Sequence, residues 1–181
     1  MNSIVIGSKG SFAIEYSFFD ETCETEISMY LYNNNVLGFT KNGLQLTTRW
    51  NLDDLAEWLR SFIDNMCEDP YPVETCGTYA AEKDISARYF DSEDDDEFEA
   101  YYNKLYDWDL NHRWHQASSG AILADVYFQL VGDNVEISWN NTDCEEGVSF
   151  NNVLGGNKVP RREFEEVVDG FLKAYADHWY S

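Results

Sequence analysis

Two histidines three residues apart, His112 and His115, would face one metal ion if that segment were helical. A structural zinc needs about four convergent ligands, and no cysteine lies within ten residues of the pair. Two exposed or hydrogen-bonded histidines beside Trp108 and Trp114 are the simpler expectation. Calcium fares no better. Asp91, Glu93 and Asp95 fit positions 1, 3 and 5 of an EF-hand loop. The turn position that requires glycine is Asp96, however, and the bidentate glutamate position is Tyr102. Ser118-Ser119-Gly120 lacks the flanking glycine of a nucleophile elbow. Gly7-Ser8-Lys9-Gly10 lacks phosphate-loop spacing and precedes a strand pattern instead of a helix. Carboxylates are so abundant that any acid–base pair could be picked by eye, which deprives the choice of meaning. The expectation is a chain that is not an enzyme, with no catalytic residues, no metal and no cofactor.

What remains is electrostatic. In Asp91-Ser92-Glu93-Asp94-Asp95-Asp96-Glu97-Phe98-Glu99, seven of nine residues are carboxylates. As helix, that length spans roughly 13 Å, over which duplex DNA carries about eight charges. The run nearly matches the linear charge density of a nucleic acid, although most acidic runs are simply solvated. It leads into Phe98, Tyr101, Tyr102, Leu105 and Tyr106 at helical spacing. Phe98, Tyr102 and Tyr106 form an i, i+4 line expected to face the core, which leaves Tyr101 and Trp108 as the exposed aromatic candidates. The expected partner-binding residues are therefore Asp91, Glu93, Asp94, Asp95, Asp96, Glu97, Glu99, Tyr101 and Trp108, acids for fast encounter and aromatics for anchoring.

Composition sets the frame for this reading. The 181 residues carry a formal charge of −22, with 44% hydrophobic and 16% aromatic residues, so the chain can bury a core despite its charge. Between Asp53 and Asp109, 18 acids face 4 bases, giving −14 of the total. Such a surface repels nucleic acid and anionic membranes and attracts cationic partners. Cys23, Cys67, Cys76 and Cys144 have no paired spacing and read as reduced core residues. The apolar run at the N-terminus is too short for a signal peptide, and no stretch approaches the ~20 apolar residues of a membrane helix. A cytoplasmic location is expected.

The elements that must carry the acidic run follow from periodicity. Phe12, Ile14, Tyr16 and Phe18 alternate as one strand face, and Ile27, Met29 and Leu31 as a second. Asn42-Gly43 signals a hairpin between 36–40 and 44–48. Asn51 caps a helix with the stripe Leu55, Trp58, Leu59, Phe62, Ile63 and Met66. Prolines at 70 and 72 forbid its continuation. Residues 67–90 predict short extended pieces near Tyr79 and Ile85, followed by the acidic helix over about 94–109 and a polar connector over 112–120. Strands are expected over 122–131, 135–139 and near Phe150, a loop at Gly155-Gly156, and a last helix with Pro160 in its first turn.

The fold class is α+β: antiparallel β-meanders, each closed by an amphipathic helix. Leu55, Trp58, Leu59, Phe62 and Ile63 align with Phe164, Val167, Val168, Phe171 and Leu172 at an offset of 109, and Glu26-Ile27-Ser28 with Glu136-Ile137-Ser138 at 110. This is what an internal duplication leaves, and also what two amphipathic helices give once their stripes are in phase. The organisation reads as a meander plus helix over 1–66, an acidic insertion over 67–120, and a second meander plus helix over 121–181.

In size, charge and the Asp91–Glu99 run, the chain resembles the small acidic inhibitors of nucleases, both anti-CRISPR proteins and the immunity proteins of nuclease toxins. That resemblance implies a basic protein partner, a nuclease or its nucleic-acid-bound complex, and no direct contact with nucleic acid or membrane. An intracellular adaptor with an acidic, solubilising surface is the rival reading.

Overall fold

The computed structural model describes residues 3–18, 24–64, 70–114 and 121–179. Strands β1 (Ile4–Gly7), β2 (Phe12–Phe18) and β3 (Glu24–Leu31) form an antiparallel sheet, with short β4 (Asn34–Asn35) and β7 (Thr48–Asn51) both paired to β3. Between them, β5 (Phe39–Lys41) and β6 (Leu44–Leu46) make the hairpin expected at Asn42-Gly43, both in positive φ. The first fifty residues are not one continuous meander, however. The hairpin leaves the sheet and pairs through β5 with β10 (Val148–Phe150), far along the chain. A third sheet orders β11 (Leu154–Pro160), β9 (Asn134–Asn140) and β8 (Val126–Val131). Among the described residues the four helices are α1 (Leu52–Asp64), α2 (Ala80–Ala87), α3 (Asp95–His112) and α4 (Arg161–Trp179). The fold is α+β, and among the described residues no helix is long and apolar enough to cross a membrane.

Alternation decides what each sheet buries. Phe12, Ile14 and Tyr16 of β2 and Ile27, Met29 and Leu31 of β3 point to a core shared with Leu55, Leu59 and Phe62 of α1 and Phe164, Val168 and Phe171 of α4. Trp50, Trp58, Trp114 and Phe128 meet at its centre with ring centroids 5.0–6.2 Å apart. Asn51 caps α1 through the Asp53 amide at 2.8 Å, and Asp53 in turn accepts the Tyr175 hydroxyl of α4 at 2.5 Å.

The two halves share one geometry. In the first, β3 pairs with β7 as Glu24–Asn51, Thr25–Trp50, Glu26–Arg49 and Ile27–Thr48. In the second, β9 pairs with β11 as Asn134–Pro160, Val135–Val159, Glu136–Lys158 and Ile137–Asn157. Adding 110 to each β3 residue and 109 to its partner converts one register into the other, and α1 starts at 52 where α4 starts at 161. In-phase helices alone would not reproduce a strand register.

The halves differ on their outer sheet faces. Where extended pieces were expected near Tyr79 and Ile85, the chain forms α2, which packs across β8, β9 and β11. It adds a second core of Tyr71, Ala80, Ala81, Ala87, Leu105, Trp108 and Tyr127. Glu136 accepts the Ala80 amide at 2.7 Å and Ser138 the Ala81 amide at 3.2 Å, so β9 caps a helix that has no side-chain cap of its own. The equivalent Glu26 instead pairs with Arg49 at 3.7 Å, and Ser28 accepts from the Asn35 amide group at 3.0 Å. Gly155 and Gly156 are not a loop. They lie in β11, paired with Trp139 and Ser138 of β9, and the strand needs glycine there because a Cβ at Gly156 would come within 2.7 Å of the Tyr79 ring, and one at Gly155 within 3.1 Å of Trp139.

Candidate functional site

The acidic helix forms where its signals placed it, extended by one turn to His112. Asp94 is the N-cap, accepting the Asp96 amide at 3.0 Å and the Glu97 amide at 3.1 Å, and Ser92 donates to Glu97 at 2.7 Å. The carboxylates of Asp95, Asp96 and Glu97 also favour the positive end of the helix dipole. Residues 93–100 are all exposed. A helix lying on a surface buries one residue in every three or four, so the first turn and a half of α3 leaves the body of the protein. Asp91, Glu93, Asp94, Asp95, Asp96, Glu97 and Glu99 are thus all presented to solvent, with no basic residue between 89 and 103.

The aromatic expectations are reversed. Trp108 is buried, 5% exposed, stacked on His112 at 4.4 Å and edge-on to Tyr71 at 4.9 Å. Tyr101 is half-buried, stacked on Phe90 at 3.9 Å and donating to the Ala87 carbonyl at 3.2 Å. Neither is a free anchor. The inner face of α3 is Tyr101, Leu105, Trp108 and His112, and the line expected inside is the outer one. Tyr106 is 59% and Phe98 41% exposed, and Leu110 extends the stripe. Tyr102 sits between the faces, its hydroxyl donating to the carbonyls of Arg88 and Phe90. Two aromatic stripes compete for one helix, and the choice is made by what waits opposite, α2 and Tyr127 of β8.

His112 is buried with Nδ1 2.8 Å from the Phe128 carbonyl oxygen, a packed histidine, while His115 lies outside the described residues. Cys76 is exposed, contrary to its reading as a core residue, Cys144 is half-buried, and Cys23 and Cys67 lie outside the described residues.

Beneath α3 lies a charged network that periodicity gives no sign of. Arg88 reaches Asp84 at 2.6 and 3.1 Å and Asp109 at 3.5 Å. Arg113 reaches Asp125 at 2.5 and 2.6 Å and Asp109 at 3.3 Å. Tyr127 donates to Asp84 at 2.9 Å. Burial opposes charge on both guanidiniums, but the bonds to Asp84 and Asp125 outweigh it and hold them above the ordinary arginine range. Asp109 loses this competition. Burial and then the Asp84 charge push its carboxyl up to about 6, against the pull of Arg113 and Arg88. Its Oδ1 accepts no hydrogen bond among the described residues. Three carboxylates against two guanidiniums leave one negative charge uncompensated in the protein.

Asp84, Arg88, Arg113 and Asp125 of this network line a cleft of about 460 Å³ together with residues 140–145 and with Ile122, Val148 and Phe150. Tyr89, 83% exposed, stands at the cleft two residues before the acidic run begins. Known families, curated proteins and solved structures offer no match to this chain. The functional reading therefore rests on the surface itself: a projecting acidic helix with an exposed aromatic stripe, continuous with a charged cleft.

Proposed function

We propose that this protein is a non-enzymatic acidic inhibitor that binds the positively charged nucleic-acid-binding surface of a nuclease. The carrying observation is the exposure of all seven carboxylates of 91–99, three in the segment that leads into α3 and four in its first turn and a half. Among the described residues, Asp94 and Glu97 make side-chain hydrogen bonds and Asp95 and Asp96 lie in the first turn of the helix, which leaves Asp91, Glu93 and Glu99 with no such local use. Seven carboxylates in nine exposed residues compete with nucleic acid for a basic groove through the same long-range field. Phe98 and Tyr106, exposed among the acids, supply short-range anchoring of the kind that tyrosine gives to protein interfaces. A long basic groove suits a projecting helix, which favours a guide-directed CRISPR effector as the target, with a nuclease toxin next.

The test is cleavage protection in cells. Expressing the protein with a CRISPR effector, and separately with a panel of nuclease toxins, should rescue cells from one of these and leave the others active. Absence of rescue across the panel would favour the adaptor reading and reduce the acidic run to a solubilising surface.

A further inference from the structure

The outermost strand of the five-stranded sheet is β1, and among the described residues no hydrogen bond reaches its outer edge. Proteins blunt such edges with lysine, proline, a bulge or a covering element, because a bare row of N–H and C=O groups templates another strand. The second half of this chain does so. There β8 holds the place of β2, pairing Tyr127 with Ser138 as β2 pairs Glu15 with Ser28. Its outer edge is closed by Arg113, which bridges to Tyr127, and by His112 on the Phe128 carbonyl. No such device protects β1. Its sequence is Ile-Val-Ile-Gly, with Ile4 39% and Val5 42% exposed.

Charge selects the occupant. The acidic run attracts a basic partner, but no carboxylate lies between residues 3 and 14, and Lys9 is already paired with Glu15 at 2.5 Å. A basic surface therefore gains nothing at β1. A second copy, repelled from most of a chain of charge −22, meets no acid on this strand. The helix beneath completes the match. It packs directly on β1 at Gly170 of α4, where a Cβ would come within 2.9 Å of Ile6. Glu166 and Lys173 are exposed one turn to either side, on the same side of the helix as Gly170. Two-fold symmetry sets the Glu166 of one copy opposite the Lys173 of the other, twice.

We infer that two copies of this chain associate through β1, antiparallel and two-fold symmetric, joining their sheets into one and pairing Glu166 with Lys173 across the axis. Four strand residues a side make a small interface, so the dimer is weak, half-associated at about 0.1 mM. β1 packs on β2 and α4, whereas α3 packs on β8, so the dimer leaves both acidic helices free. The inference stands apart from the nuclease reading and holds whether or not that reading does.

The test is sedimentation equilibrium of the intact protein, from roughly tenfold below to roughly tenfold above that concentration, at low and high salt. A monomer–dimer equilibrium is expected, and salt should strengthen it by screening two chains of like charge. Binding through the acidic run weakens in salt, so the two associations differ in sign. V5K sets a lysine on the pairing edge beside Glu15, where the fold tolerates it, and should abolish the dimer. E166K should weaken association by about threefold to tenfold, and the charge swap E166K/K173E should restore it. Amide exchange at Ile4–Gly7 should slow as concentration rises, while that of α3 stays unchanged. A protein still monomeric at the highest concentration in high salt, a dimer that V5K leaves intact, or protection that rises at another edge and not at β1 would each overturn the inference. Failure of E166K/K173E to recover the dimer would overturn its two-fold arrangement.

Discussion

Replacing Asp109 by asparagine should change how stability depends on pH. The carboxyl titrates at about 6 in the folded protein against an ordinary 3.8, so the folded state binds the proton more tightly than the unfolded one. Between those values folding takes up a proton, and stability falls as pH rises through the window. A shift of about two units at roughly 1.4 kcal/mol each places the full cost near 3 kcal/mol above the folded value. About half of it develops between pH 5 and 8, a range that stays clear of the sequence pI of about 4.2. Other groups add their own slopes: Glu15, held below the usual carboxylate range by Lys9 and Ser3 despite its burial, contributes stability that is lost on acidification. The informative quantity is therefore the difference between parent and D109N, measured by urea unfolding followed through tryptophan fluorescence. Asparagine can still accept from Arg88 and Arg113, so the variant should gain on the parent by roughly 1.5 kcal/mol between pH 5 and 8. A difference that stays flat across that range would refute the placement of Asp109 as the uncompensated charge.

Other perturbations have distinct readouts. Gly156→Ala should cost about 1–3 kcal/mol, because its Cβ meets the Tyr79 ring that seats α2, and should accelerate amide exchange at Ala80 and Ala81. Asp94→Ala should free the amides of Asp96 and Glu97 and melt the exposed start of α3, at about 1 kcal/mol of local helix stability, with little change in global unfolding. Trp108→Ala should destabilise the protein by about 3–5 kcal/mol. Tyr106→Ala, on the opposite face, should leave the unfolding midpoint unchanged and weaken partner binding.

The sequence disclosed those parts of the fold that a single period dictates. The alternating strands of β2 and β3, the Asn42-Gly43 hairpin, the Asn51 cap and the stripes of α1 and α4 each rest on local physics. The matches at offsets of 109 and 110 pointed to the repeat, and the strand register gives it a geometric content that side-chain stripes lack. Elsewhere tertiary context decided. Residues 80–87 carry alanines and charges without an apolar stripe, so α2 is legible only once Glu136 and Ser138 are seen beneath its first turn. Gly155-Gly156 reads locally as a loop and is a strand through its pairing with β9, its glycines required by the Tyr79 and Trp139 rings packed against it. On α3 both aromatic stripes satisfy a helical period, and nothing local distinguishes Tyr106 from Trp108. The acidic run was fully legible, since exposure of charge needs no partner. The network of Asp84, Arg88, Asp109, Arg113 and Asp125 was not, because its members come from α2 and α3, from the residues that cap their C-terminal ends, and from the residue before β8.

The most direct test of the inhibitor reading is the inhibition constant against the nuclease from which the protein rescues cells, measured for the parent and for the variant with Asp94, Asp95 and Asp96 changed to asparagine and Glu97 to glutamine. The account predicts well over a tenfold loss of inhibition with an unchanged unfolding midpoint, and a parent inhibition constant that weakens steeply with salt. Equal inhibition by parent and variant, independent of salt, would contradict it.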